Sequence, residues 1–112
     1  MKKVIASSLL VAGGLATKGV DISQYVSESD CSCFKNSGYD FVIPRGWCSY
    51  GGLDSNVVSN IKNCKAAGVE YVDVYMFPCR GKSASSQVSE LISGLNSGLN
   101  SPSPLEELQT FL

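Results

Sequence analysis

The chain has 112 residues, enough for one ordinary domain, and its 44% hydrophobic and 17% charged content excludes bulk disorder. Nine Lys and Arg against ten Asp and Glu give a net charge of −1, so there is no basic surplus to neutralise phosphates and nucleic acid is not an expected partner. The absence of His removes Ser-His-Asp and Cys-His catalysis and most catalytic zinc sites, which leaves carboxylates, Tyr and Cys for any chemistry.

Met1-Lys2-Lys3 is a short basic start. Val4 to Leu15 is an apolar run too short to span a bilayer of about 30 Å comfortably. Gly14-Leu15-Ala16 supplies small residues for a cut after Ala16. This is the layout of a secretory signal peptide over residues 1–16. Loss of Lys2 and Lys3 moves the net charge from −1 to −3. No second long apolar run follows, so no membrane anchor is expected after cleavage. All five cysteines, Cys31, Cys33, Cys48, Cys64 and Cys79, lie beyond the cut. An oxidising route makes disulfides the default, and the odd count leaves one thiol over. Spacing alone does not give the pairing. Cys31-Ser32-Cys33 has no second close pair and no His beside it, so no metal site is expected.

Lys18 to Ser23 reads as a first strand, with Asp21 pointing away from the face of Val20 and Ile22. Ser27 and Asp30 are spaced as a capping box for a short helix around Cys31 to Asn36, which Gly38 closes. Tyr39 to Ile43 is a second strand running on toward Trp47, with Asp40 as a turn residue. Ser49 to Gly52 is a glycine-rich turn. Asp54 or Ser55 caps a second helix, with Val57, Val58, Ile61 and Cys64 at helical spacing and Gly68 at its end. Val69 to Phe77 is a third strand stopped by Pro78. Ser83 to Gln87 opens a third helix with Val88, Leu91, Ile92 and Leu95 on one face. Strands alternating with helices imply an α/β fold of about three parallel βα units. Such a set looks like the first part of a barrel that closes only with more strands. Residues 97–112 are linker-like or divergent: Gly98-Leu99-Asn100-Ser101 repeats Gly94-Leu95-Asn96-Ser97, and Pro102 and Pro104 follow. Leu105 to Leu112 has room for one weak helical turn, with Glu106 and Glu107 solvated.

Three motifs occur in order: Gly19-Val20-Asp21-Ile22-Ser23-Gln24, Tyr39-Asp40-Phe41-Val42-Ile43-Pro44-Arg45, and Ala67-Gly68 with Val72-Asp73-Val74-Tyr75-Met76-Phe77-Pro78-Cys79. Over residues 18–96 the chain resembles glycoside hydrolase family 25, the Chalaropsis-type lysozymes, in its eukaryotic branch. The resemblance implies an irregular (β/α) TIM-like barrel, here as an incomplete N-terminal portion over residues 17–96. It implies a secreted muramidase, extracellular or in a lysosomal or phagosomal lumen. Its substrate is bacterial peptidoglycan, in wall catabolism or antibacterial defence. No cofactor is expected, and the chain is expected to be a monomer if folded. Asp21 matches the family aspartate ending the first strand and is the candidate catalytic residue. Tyr75 matches an aromatic lining the saccharide groove, and Arg45 a basic position near the same face.

The family carries its general acid in a D-x-E motif on a fourth strand, and these 112 residues contain no D-x-E. Asp73-Val74-Tyr75 is the nearest form. Glycoside hydrolysis needs an acid and a second carboxylate or equivalent across the bond, and Asp21 alone is not that pair. Asp73 has room to act as a barrel-interior acid, although a structural role suits it better. Trp47 and Tyr50 follow the second strand, where aromatics serve equally as sugar platforms or as filling. Three readings follow. The chain is a muramidase whose acid lies elsewhere, an inactive or truncated relative that binds saccharide, or an unrelated disulfide-stapled binding module. N-terminal sequencing of the secreted protein is expected to begin at Thr17 or within a few residues of it; intact Met1 in the medium overturns the leader.

Overall fold

The computed structural model describes residues 17–100. The expected leader and the tail with Glu106 and Glu107 lie outside the described residues. Eight elements follow one another: β1 (Gly19–Ile22), α1 (Glu28–Asn36), β2 (Phe41–Cys48), β3 (Gly52–Leu53), α2 (Val57–Ala66), β4 (Tyr71–Val72), β5 (Tyr75–Met76) and α3 (Ala84–Leu99). The fold is a mixed α/β sheet with three helices, in the expected strand-helix order. Among the described residues the sheet is open and does not close into a barrel.

β2 is the hub. β1 and β4 both run parallel to it and both pair with Phe41 and Val42. A strand has two hydrogen-bonding edges, so these neighbours flank it on opposite sides. β5 continues the β4 side, opposite Arg45 and Trp47. The turn after Cys48 contributes a short antiparallel strand, β3, opposite Trp47 and Cys48. A two-residue strand beginning at a glycine carries no alternation to read, so this segment is expected as a turn only.

The expected third strand is broken into β4 and β5, and the break has a physical cause in β2. The Val42 carbonyl accepts from the Asp73 N–H at 3.1 Å, so Val42 and, by alternation, Pro44 face the third strand. Pro44 has no N–H to return to it. The Val74 N–H, by the same alternation, points away from β2, and the Asp73 carboxylate takes it at 2.8 Å.

The pleat of β2 sorts its two faces. Val42 and Pro44 are buried, while Phe41, Ile43 and Arg45 are half-buried. Val42 and Val72 pack with Cys31, Ile61, Cys64, Leu91 and Leu95 from the helices. The helices therefore cover the Val42 face and leave the Ile43 face open.

α1 starts at Glu28 through the expected box: Ser27 Oγ accepts from the Asp30 N–H and Asp30 Oδ2 from the Ser27 N–H. Gly38 and Gly68 follow α1 and α2 with φ of +91° and +90°, a left-handed turn that side chains resist, which lets each helix end turn into the next strand. Asn56 is the N-cap of α2 without a side-chain bond; Asp54 caps from two residues earlier, its Oδ1 accepting from the Asn56 N–H at 2.9 Å. The α3 face differs from expectation. Gln87, Leu91 and Leu95 are buried, whereas Val88 and Ile92 are 44% and 38% exposed. Gln87 belongs inside because its Oε1 accepts from the Trp47 indole N–H at 2.8 Å. α3 also runs through Leu99, three residues past the compositional change at Asn96.

Cys31 of α1 and Cys64 of α2 form a disulfide, and Cys33, Cys48 and Cys79 are free. Closing a loop with a sequence separation of 33 stabilises by about 3–4 kcal/mol on chain-entropy grounds. Thiol titration in denaturant without reductant is expected to find three free thiols. Cys31→Ser with Cys64→Ser is expected to lower unfolding stability by about 3 kcal/mol, followed through Trp47 emission. Five titratable thiols contradict the bridge.

Candidate saccharide-binding face

The open side of the sheet is built from residues two apart in each strand. Asp21 pairs with Ile43, and Arg45 with Tyr75. The same parallel register sets Asp73 level with Ile43. Asp21, Ile43, Arg45, Asp73 and Tyr75 thus share one face. Asp21, Ile43, Tyr75 and Phe77 line an open cleft of about 500 Å³ across it. One carboxylate, one branched aliphatic and two aromatics make a surface with an apolar floor, a carboxylate acceptor and a phenolic hydroxyl. That combination fits a sugar, whose ring faces are apolar and whose edges carry donors.

The loop leaving β1 is tied down from α2. Asn60 is 2% exposed; its Oδ1 accepts from the Val26 N–H at 2.9 Å and its Nδ2 donates to the Gln24 carbonyl at 3.0 Å. Asn63 Nδ2 donates to the Val26 carbonyl at 2.8 Å. On the other side, Arg45 Nη2 donates to the Ser23 carbonyl at 3.2 Å. These bonds hold the chain just after Asp21 in place.

Arg45 is itself held. Its Nε donates to Asp54 Oδ2 at 2.8 Å, with the guanidinium side chain 29% and the carboxylate side chain 6% exposed. Cys48 Sγ donates to the same oxygen at 3.5 Å. Burial alone raises the Asp54 carboxyl pKa; the bonds from the Asn56 N–H, Arg45 and Cys48 outweigh it and hold the group below its ordinary value of 3.8. The Asp54 bond raises Arg45 further above its already high value, so it stays a cation.

Of the predicted site residues, Asp21 and Tyr75 line the cleft, while Arg45, Asp73 and Trp47 do not. Trp47 is 2% exposed, within the core, with its N–H taken by Gln87, so its indole is not a platform for a sugar in this structure. Asp73 is on the right face, yet its Oδ1 is turned to the Val74 N–H. Phe77 is the cleft residue that sequence reasoning passed over; the two-residue step from Tyr75 was the available signal. Asp54, Asn60 and Gln87, the buried polar groups, were read only as a cap or not at all. Gln87 lies four residues before Leu91, on its helical stripe. No group of His, Cys, Asp and Glu among the described residues is arranged to hold a metal, and no helix among them is long and apolar enough to cross a membrane.

Asp54 gives the fold a pH dependence of known sign. A carboxyl depressed in the folded state contributes stability above its unfolded pKa, and that contribution drains away as pH falls through the folded value. Stability is therefore expected to fall below about pH 4, and Asp54→Asn to flatten that limb, leaving the smaller slope of Asp30, which the Ser27 bonds also depress. At pH 7 Asp54→Ala is expected to cost about 2 kcal/mol, because it strips Arg45 and a helix N–H of their partner. Denaturant melts across pH 2.5–7 check both; parallel curves for parent and Asp54→Asn refute the assignment.

A family model described as "Lysozyme-like protein 1" matches residues 14–101. "Lysozyme-like protein 5" of Caenorhabditis elegans is 41% identical over 81 residues, covering 72% of this chain and 38% of that protein. "Probable GH family 25 lysozyme 4" of Dictyostelium discoideum is 50% identical over 64 residues, 57% of this chain and 30% of that protein. "Counting factor 50" of the same organism is 32% identical over 85 residues, 71% of this chain and 28% of that protein. The chain thus spans about a third of the length of these relatives. No solved structure matches. The motifs, their order on three βα units and the match over residues 14–101 place the chain in the lysozyme-like protein family that includes the glycoside hydrolase family 25 lysozymes.

Proposed function

We propose that the chain is the saccharide-binding first part of a secreted lysozyme-like glycoside hydrolase directed at bacterial peptidoglycan, serving wall catabolism or antibacterial defence. Its three βα units are the N-terminal portion of an irregular barrel. The open face is then the side that lines the barrel interior, where this architecture keeps its sites. The observation that carries the reading is the cleft bounded by Asp21, Ile43, Tyr75 and Phe77. Asp21 orients the substrate acetamido group or the attacking water. Tyr75 and Phe77 bear against a sugar face. Arg45 and Asp73 border the same surface, and Trp47 supports it from the core. The Cys31–Cys64 bridge fits an oxidising compartment, extracellular or in a lysosomal or phagosomal lumen.

Within these 112 residues the cleft has one well-placed carboxylate and no D-x-E. General acid catalysis contributes about 10²–10⁴-fold, and two positioned carboxyl groups are the rule in such hydrolases. The chain by itself therefore binds glycan as a monomer without cutting it at a rate comparable with a full family member. A second reading, a non-catalytic saccharide-binding member of the family, rests on the same missing acid.

Co-sedimentation with insoluble cell walls and a wall-turbidity assay test this together. The purified full chain is expected to sediment with walls and to leave turbidity unchanged. Tyr75→Ala is expected to weaken binding by about three- to tenfold, the worth of one aromatic contact. Absence of sedimentation overturns the binding reading. Robust clearing by the parent that is lost in Asp21→Asn overturns the incompleteness and turns attention to Asp73 as the acid.

A further inference from the structure

We infer that residues 104–112 form a short helix that folds back antiparallel onto α3 and covers its Ile92–Leu99 flank, closing an αα-hairpin through residues 100–103. The inference stands apart from the saccharide-binding reading above.

The flank is the side of α3 that the rest of the fold leaves uncovered. Gln87, Leu91 and Leu95 face the core. Gly94 and Gly98 lie so close to Leu53 and Val58 that a Cβ has little room at either, so β3 and α2 occupy the neighbouring side. Beyond them Val88, Ile92, Asn96 and Leu99 follow at steps of four, four and three, the spacing of one helical stripe. Ile92 is 38% exposed and Leu99 is half-buried. Asn96 stands between them, and its buried Oδ1 has no hydrogen-bond partner among the described residues. An orphaned acceptor inside an uncovered apolar stripe points to a neighbour that supplies a donor.

The residues after α3 have the pattern of that neighbour. Asn100 ends the helix in the left-handed conformation, with φ of +54°, which turns the chain off the helix axis. Pro102 cannot continue α3. Ser103 and Glu106 then stand at capping-box spacing, with Pro104 at the first helical position. Leu105, Leu108, Gln109 and Leu112 share one stripe, and Glu106 and Glu107 lie off it. A connection over residues 100–103 falls within the two to five or so residues that join antiparallel helices.

The two stripes fit in one register. Leu105 comes opposite Leu99, Leu108 opposite Asn96, and Leu112 opposite Ile92. Gln109, beside Leu108, brings a side-chain amide donor to the level of Asn96 Oδ1, so the one polar residue of each stripe meets the other. At 1.5 Å per residue, residues 104–112 reach about 12 Å, and Ile92 to Leu99 takes about 10 Å. Val88, one turn further back, stays exposed. A tethered segment acts at an effective concentration on the order of millimolar, which favours it over a separate chain for so small a surface. The match to the family model stops at residue 101, so this cover lies outside the region that the match defines.

The test is methyl NMR on the full chain, labelled at Ile, Leu and Val. Nuclear Overhauser contacts are expected from Ile92 to Leu112 and from Leu99 to Leu105, unchanged on dilution. Leu108→Asp is expected to abolish both and to speed amide exchange over residues 96–99 about tenfold, while the Val42 and Val72 methyl shifts of the core stay in place. Absence of both contacts in a parent chain whose Val42 and Val72 methyls report a folded core overturns the inference. Contacts seen only between labelled and unlabelled copies in a mixed sample give the flank to a second copy and overturn it as well. Contacts that survive Leu108→Asp overturn the register and the inference with it.

Discussion

Every other strand of the described chain hydrogen-bonds to β2, whose eight residues decide where everything else sits. Because side chains alternate along a strand, a slip of one residue exchanges the Val42–Pro44 set with the Ile43–Arg45 set. The slipped form buries a guanidinium and exposes the core. Polar ties at both ends of the β1–β2 pair oppose it. At the start, Asp40 bonds to Lys18 through its backbone N–H at 2.7 Å and through its carboxylate. At the end, Arg45 bridges the Ser23 carbonyl and Asp54. Arg45 thus helps to fix the register as well as the loop after β1.

This arrangement leaves one face of the sheet without helices. Ile43 and Tyr75 are half-buried there, and Phe77 is 56% exposed. Apolar burial is worth roughly 25 cal/mol per Å², so an uncovered sheet face forgoes several kcal/mol that a covered one collects. The disulfide between α1 and α2 compensates on the other side, where it joins the two helices that pack beneath β2. Stability is concentrated on the Val42 face, and the Ile43 face is left available for contact. A surface that mixes Asp21 and Arg45 with aromatics is better suited to a polar, ring-shaped ligand than to a featureless apolar partner.

Much of this was legible in the residues, for local reasons. The Ser27–Asp30 box, the glycines after α1 and α2, and the alternation around Asp21 depend on neighbours within a few positions, so the sequence displays them directly. What was hidden depends on partners far along the chain. Gln87 reads as a helix-surface residue until Trp47, forty positions away, supplies its donor. That bond draws Trp47 into the core and turns Val88 and Ile92 outward. The break in the third strand was half visible: Pro44 inside a strand announces a missing donor, but only the parallel register shows that Asp73 and Val74 face it. Asp54 was legible as a cap and not as the partner of Arg45, nine residues earlier, because β3 brings the two together and β3 itself carries no pattern.

The chemistry of the open face follows from the same spacing. Asp21 and Asp73 stand on either side of Ile43, two strand spacings or roughly 10 Å apart at the backbone. Carboxyl groups that share a scissile bond lie roughly 5–9.5 Å apart, so the backbones are placed within reach of such a pair. The side chains are not so disposed, because the Asp73 carboxylate serves the Val74 N–H. Releasing it strips the Val74 N–H of its acceptor and costs a hydrogen bond of about 1 kcal/mol. That local bond keeps Asp73 in structural service. Asp21 remains the carboxylate that lines the cleft, with the Arg45 guanidinium one row above it. Opposite charges on successive rows, roughly 6.6 Å apart along β2, give the face a direction. An extended polar ligand laid across this face therefore meets two ends of opposite charge, which are not equivalent.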